Sequence, residues 1–201
     1  MKRHEINGYR WDSVALTSAH DYLLPVLLNE MTRLQVGANE GGRVFELGCG
    51  NGSVANVLAQ QGWDVTGIDP SIEGIAQANA QWPQLKLFEG SAYDDLVTRF
   101  GRFPVVISLD VVEHVYSPRK YASTLFSLLE PGGTAIVSTP YHGYWKNLVL
   151  AVTGKMDANF TALWDHGHIK FWSVKKLGVL LREAGFTEIS FDKVGRVPAL
   201  A

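Results

Sequence analysis

Residues 44–52 read VFELGCGNG: an apolar run, a lone acid at Glu46, then glycines on alternate positions, Gly48, Gly50 and Gly52. A glycine turn after a strand presents bare backbone amides at a helix N-terminus, and without Cβ atoms a nucleotide-like ligand can come close. A dinucleotide fingerprint would place its third glycine at 53; here it comes one residue early and Ser53 stands there. Glu46 also argues against a pyrophosphate, because a carboxylate two residues before the turn repels a doubly charged group in a poorly screened site. A ligand with a positive end suits it better. Farther on, DVTGIDP ends in Asp69, 21 residues after Gly48, where a carboxylate can accept both hydroxyls of a ribose. A solvent-facing aspartate ending a strand is the plainer alternative. Cys49 is the single cysteine; it cannot pair within the chain, and its place in the turn favours a small residue over a reactive thiol.

These groups need a scaffold that brings strand ends together. From Arg43 onward, short β-rich runs alternate with helical stretches, the signature of βαβ units and a parallel sheet. RVFELG, DVTGID, LKLFEG, FPVVISLD and GTAIVSTP read as strands. SVANVLAQQG, SIEGIAQANAQW and SPRKYASTLFSLLEPGG read as the helices between them, the third with Ser117 as N-cap and Pro118 at the first helical position. A last helix runs from Ser173 to Gly185 and leads into a sixth strand, EISFDKVGRV. The first forty residues hold one helix, from about Ser18 to Gln35, interrupted by Pro25. The expected fold is α/β: a Rossmann-like, doubly wound, mostly parallel sheet.

The chain has 201 residues, 46% hydrophobic and 19% charged, enough for one domain with a full core. A net charge of −2 with scattered Lys and Arg residues gives no polyanion-binding surface, so no nucleic-acid partner is expected. The N-terminus, MKRHEINGYRWDS, lacks the apolar core of a secretion signal. No stretch approaches the roughly 18 apolar residues of a membrane helix, and a cytoplasmic location is the expectation. Residues 1–40 read as an N-terminal helical cap and 141–172 as a substrate lid. The lid is dense in aromatics and histidines, including Tyr141, His142, Tyr144, Trp145, Trp164, His166 and His168, and follows a strand's carboxyl end, where open α/β sheets bind ligands. For any one of these aromatics, packing of the lid onto the sheet is the plainer reading.

In order, VFELGCGNG, VTGIDPS, EGSAYD and VVISLDVVEHV resemble the motif series of class I S-adenosylmethionine-dependent methyltransferases, in the small-molecule branch that includes the ubiquinone-biosynthesis O-methyltransferases. The similarity spans roughly residues 40–190 and closes with HIKFWSVKKLGVLLREAGF. The ordered series is specific, although no single motif is. The resemblance implies S-adenosyl-L-methionine as cofactor, a molecule with an ammonium, a sulfonium and a ribose but no phosphate. It implies that Glu46 and the turn Gly48, Cys49, Gly50 and Gly52 meet the methionine portion, and that Asp69 takes the ribose hydroxyls. Pro70 and Ser71 would flank the adenosine, Ser91 and Ala92 would meet the adenine, and Leu109 and Asp110 would close the site near the methyl group. The family often carries aspartate where this chain has Ser91. It also normally ends in a seventh, antiparallel strand, so the C-terminal part of a longer protein is expected to be missing after VPALA.

Methyl transfer from a sulfonium has a neutral leaving group, so the enzyme must align a nucleophile, exclude water and remove at most one proton. His114, which follows the fourth strand at the ligand edge, is the first candidate for that proton, with a helix-capping role as the alternative. His168 matches the histidine common before the last helix of this branch and is the second. Some ubiquinone-branch members hold a divalent metal at positions matching Asp110, Glu113 and His114; no spacing signature enforces one, and no metal is expected here. His142, His166 and His168 lack the spacing of a zinc site. Tyr141, His142, Tyr144, Trp145 and Trp164 are the candidates for contact with a small-molecule methyl acceptor. The apolar NLVLAV, near FTALW, reads as an amphipathic lid helix able to touch lipid, or equally as the wall of a hydrophobic substrate site.

Two enzyme alternatives fail on residues. Tyr116 and Lys120 have the spacing of a short-chain dehydrogenase, but Pro118 lies between them and the glycine pattern differs. An amino-methylating nucleic-acid enzyme would be expected, by family resemblance, to show an Asn- or Asp-Pro-Pro-aromatic motif where LDVVEH stands. A noncatalytic cofactor-binding or interaction module on the same fold stays open, because binding and catalytic residues are separate sets.

Overall fold

A computed structural model describes residues 11–35, 42–141, 143–157, 160, 163 and 167–195. The elements are α1 (His20–Gln35), β1 (Arg43–Leu47), α2 (Ser53–Gln60), β2 (Asp64–Asp69), α3 (Ile72–Gln81), β3 (Lys86–Glu89), α4 (Leu96–Phe100), β4 (Phe103–Leu109), α5 (Pro118–Ser127), β5 (Leu129–Ser138), α6 (Tyr144–Val152) and α7 (Val174–Ala184). The strands form one parallel sheet in the order β3-β2-β1-β4-β5. Chain order reverses between β1 and β4, which makes their carboxyl ends the crevice where doubly wound sheets take ligands.

Strand periodicity divides the core. Val44, Val65, Leu87, Val105 and Ile107 face α1, α2 and α3, whose Leu27, Met31, Val54, Leu58, Ile75 and Ala78 cover them. Phe45, Leu47, Ile68 and Val106 face the other way, joined by Phe103 from before the register irregularity at the start of β4, against Leu96 of α4, Tyr121 and Leu125 of α5 and Leu177, Leu180 and Leu181 of α7. Burial on both faces explains why β1, β2 and β4 read as apolar runs rather than alternating ones.

Four expectations differ from the structure. Helix α1 runs unbroken through Pro25, which forfeits one bond to the carbonyl four residues earlier while packing of Leu27 and Met31 holds the turns around it. Ser117 does stand at the α5 N-cap, but its side chain makes no capping bond. β5 begins at Leu129 rather than Gly133: Phe103 pairs with Leu129 and Val105 with Thr134, so Glu130 to Gly133 form an irregularity in the ladder. Residues 188–195, the described part of the expected sixth strand, form no strand. Glu188 adopts a φ of 51°, which breaks extended backbone, and Phe186 and Ile189 pack against the core instead. The short α4 gave no apolar period to read; Asp95 caps it by accepting from Thr98 N at 3.2 Å. No helix among the described residues is long and apolar enough to cross a membrane.

Candidate active site

The turn after β1 is built from left-handed backbone: Gly48, Gly50 and Gly52 have φ of 91°, 52° and 76°. Side chains at these positions would be strained and would also collide, at Gly48 with Val111 and at Gly52 with Ala78 and Leu87. Gly48 N and Cys49 N both donate to Ile68 O at 2.9 Å, binding the turn to the end of β2. Asn51 supplies what Gly52 cannot as N-cap of α2, its Oδ1 accepting from Ser53 N at 3.2 Å. Cys49 is buried, and burial, then Glu46 and Asp69, push its thiol well above the usual range. That is an inert packing residue rather than a nucleophile.

Two acids lie beneath this turn. Glu46 is 2% exposed and its Oε2 has no hydrogen-bond partner among the described residues. Burial, reinforced by Asp69, pushes its carboxyl up to about 8. Asp69, 8% exposed, accepts from Gly50 N at 2.9 Å and from Ser71 N at 2.8 Å. Burial raises it to about 6 against the pull of those two amides. An orphaned buried carboxylate is costly, and an ammonium would satisfy it, whereas a phosphate would aggravate it. The donor set fits a cofactor with a cationic end and a ribose.

The residues expected to meet the adenosine are more exposed as a group. Pro70 is exposed, while Ser71 spends its hydroxyl as the α3 N-cap, accepting from Gly74 N at 3.1 Å. Ser91 N donates to Asp94 Oδ2 at 2.7 Å. A carboxylate is thus present near Ser91 although three residues later in sequence. Ala92 packs against the core.

At the end of β4, Leu109 is half-buried and Asp110 is left-handed, with φ 53°. Ser138 of β5 holds Asp110: its Oγ accepts from Asp110 N at 3.0 Å and donates to Asp110 Oδ1 at 2.7 Å. Glu113 is buried and ties three segments together. Its Oε2 accepts from Thr139 Oγ1 at 2.9 Å, and its backbone carbonyl accepts from Ile169 N and Lys170 N at 3.0 and 2.9 Å. Burial and then Asp110 push its carboxyl up to about 8. His168 Nε2 stands 4.0 Å from Glu113 Oε1, and the His114 and His168 rings meet edge-on with centroids 4.9 Å apart. The two histidines singled out from sequence are therefore neighbours. The cation set differs from the sequence expectation: ligating atoms of Glu113, His114 and His168 lie within 4.8 Å of one another, and Asp110 stands outside that group.

Within residues 141–172, Tyr141 forms an isolated bridge to Trp172, whose Nε1 donates to Val112 O at 3.1 Å. NLVLAV does fall in a helix, α6, but none of its residues is buried. Tyr144 and Trp145 are 92% and 71% exposed, and Leu148, Val149 and Val152 are exposed as well. His142, Trp164 and His166 lie outside the described residues.

Sequence reasoning missed the docking of residues 11–20 on the glycine turn and α3. Asn51 Nδ2 donates to Ser13 O at 2.7 Å and to Ala15 O at 3.1 Å, and Gln77 Nε2 donates to Trp11 O at 2.6 Å. The Trp11 indole lies where Cβ atoms on Gly50 and Gly74 would point. Beyond it, Thr17 N donates to His20 Nδ1 at 2.9 Å. Burial lowers the His20 pKa, and Asp110 is near enough to oppose that shift. Residues 11–20 thus pass from the β1–α2 turn to the end of β4. Trp11, in a short stretch of mixed polarity, was the local signal.

A family profile described as a methyltransferase domain matches residues 20–190. The chain is 30% identical over 190 residues to a ubiquinone biosynthesis O-methyltransferase of Psychrobacter arcticus, covering 92% of this chain and 72% of that one. It is 32% identical over 165 residues to the protein of the same name from Cereibacter sphaeroides, covering 79% and 64%. The chain thus spans about two thirds to three quarters of the length of these relatives. Among solved structures, Haemonchus contortus phosphoethanolamine N-methyltransferase 2 in complex with S-adenosyl-L-methionine superposes with a TM-score of 0.59 at 19% identity, over 82% of this chain and 37% of that one.

Proposed function

This chain belongs to the S-adenosylmethionine-dependent methyltransferases, and from that premise we propose that it methylates an oxygen of a small, apolar, lipid-like metabolite. The observation that carries the cofactor half is Glu46, buried with an unsatisfied oxygen beneath a turn of left-handed glycines and next to Asp69. The acceptor half draws on the named activity of the relatives and on the apolar lid.

When bound, the cofactor supplies an electrophilic methyl group on a sulfonium whose departure leaves a neutral thioether. Glu46 takes the ammonium, Asp69 the ribose hydroxyls and Ser91 with Ala92 the adenine edge. Leu109 and Asp110 border the reacting end. A phenolic or alcoholic acceptor must lose a proton as it reacts, and a ring nitrogen of His114 or His168 receives it. Glu113 Oε1 stands 4.0 Å from His168 Nε2, so the proton taken from the acceptor arrives beside an ionisable carboxyl group. The same trio offers one imidazole each from two residues and a carboxylate, a set able to hold a divalent cation; proton transfer is the role we assign it.

A lipid-like acceptor also gives α6 a use. Its exposed Tyr144, Trp145, Leu148, Val149 and Val152 form an apolar surface beside the crevice, suited to resting on a membrane interface from which the acceptor is drawn. A noncatalytic binding module would not need paired histidines and a buried glutamate at the reacting end.

The test is thermal stability and turnover together. S-adenosylmethionine and S-adenosylhomocysteine should raise the melting temperature while NAD does not. A screen over phenols, carboxylates, sugars and amines should then give the demethylated cofactor with hydroxylated aromatics. Stabilisation by NAD alone would overturn the cofactor, and turnover confined to amines would overturn the acceptor.

A further inference from the structure

Residues 11–19, ahead of α1, form no strand, yet they run from the turn after β1 towards the end of β4. They are held by side chains of the cofactor turn and of α3. Asn51 reaches Ser13 O and Ala15 O, and Gln77 reaches Trp11 O. Two glycines, Gly50 and Gly74, leave the space in which the Trp11 indole sits.

Both seats of that indole are wired to the same acid. Asp69 Oδ2 accepts from Gly50 N at 2.9 Å. Asp69 Oδ1 accepts from Ser71 N at 2.8 Å, and Ser71 Oγ accepts from Gly74 N at 3.1 Å. A ligand that engages Asp69 therefore acts on the two glycines beneath Trp11. At its other end the segment brings His20 near Asp110, so one strap borders both the ribose acid and the reacting end.

We propose that residues 11–20 are the closing wall of the cofactor cleft, with Trp11 as its seal and Asn51 and Gln77 as its catches, and that cofactor enters and leaves when this strap lifts. The inference rests on the cofactor reading given above. A strap held by an indole and a few side-chain bonds opens far more readily than the sheet beneath it, which is what an entry route requires. Asn51 has two jobs in this arrangement, capping α2 with its oxygen and holding the strap with its nitrogen.

Hydrogen exchange on the full chain, with and without S-adenosylhomocysteine, tests this directly. The amides of 11–17 should exchange about tenfold more slowly with the ligand, while those of α5 do not change. Trp11→Ala should release S-adenosylhomocysteine about tenfold faster in stopped-flow displacement, since loss of a seal acts mainly on dissociation. Gln77→Ala, which removes one catch and leaves the indole, should shift release in the same direction by a smaller factor. Wild-type binding with unchanged exchange in 11–17, and unchanged release from both variants, would overturn the strap and leave the cofactor reading standing. Failure of the wild-type chain to bind S-adenosylhomocysteine would overturn both.

Discussion

Glu46 and Asp69 are buried acids near the carboxyl ends of the adjacent strands β1 and β2, but only Asp69 has both oxygens held, by the amides of Gly50 and Ser71. One acid is satisfied by the fold and the other waits for a ligand. The pair explains why the site favours a cofactor with an ammonium and a ribose over one with a pyrophosphate.

Replacing Asp69 should therefore cost twice. Asp69→Ala orphans two backbone amides, destabilising the protein by about 1–3 kcal/mol. It also removes a charge-assisted acceptor for the ribose, weakening S-adenosylhomocysteine binding by at least about 1 kcal/mol. Urea denaturation reads the first and calorimetric titration the second. Unchanged affinity would remove Asp69 from the cofactor site.

The free protein should lose stability as pH rises from about 4.5 to 8. Glu46 and Glu113 each have a folded pKa of about 8, far above the value near 4.3 of an unfolded glutamate. Between those limits the folded chain binds more protons than the unfolded one, so the derivative of unfolding free energy with pH is negative. The stabilising proton is fully present below the unfolded pKa and lost through the folded one. Glu46→Gln should flatten the profile and melt higher than wild type at pH 8, yet bind cofactor more weakly. Melting curves across pH 5–9 check the slope, and a wild-type profile flat over that window would show that neither acid is held protonated.

What could be read from the chain was what local chemistry dictates. The strand ends, the glycine turn and the acids Glu46 and Asp69 follow from periodicity and spacing over a few residues, and the structure brings them together. What escaped depends on distance in sequence. Asn51 holding Ser13 and Ala15, or Gln77 holding Trp11, joins residues 36 to 66 apart with no shared period. The partnership of Glu113 with His168 likewise arises only when Ile169 and Lys170 dock on the Glu113 carbonyl. Over its described residues the expected sixth strand does not form, and its first residue, Glu188, is left-handed, which residue type alone does not announce.

The histidine pair should control turnover and leave cofactor affinity alone. His168→Gln and His114→Gln should each lower kcat by about 100-fold or more where that residue is the base, with little change in S-adenosylhomocysteine binding. Glu113→Gln should shift the pH–rate profile, because it removes an ionisable carboxyl group, with a folded pKa of about 8, that stands 4.0 Å from His168 Nε2. If the trio serves proton transfer, exhaustive chelation leaves kcat intact. Loss of activity on chelation with recovery on adding magnesium or manganese would assign Glu113, His114 and His168 to a cation instead.

At the exposed helix α6, stability and binding should part company. In α6, Trp145 and Val149 are exposed and bury nothing against the sheet, so changing them to serine should shift stability by no more than about 0.5 kcal/mol. The same double change removes apolar area from the face proposed to meet lipid, where transfer is worth roughly 25 cal/mol per Å². Cosedimentation with phosphatidylglycerol-rich vesicles should therefore fall several-fold while the melting temperature holds. Equal sedimentation of wild type and variant would take α6 off the membrane and leave it as the wall of an apolar substrate site. That second role is separable, because it should appear as a raised KM for a water-soluble, short-chain acceptor, which a purely membrane-facing helix would leave unchanged.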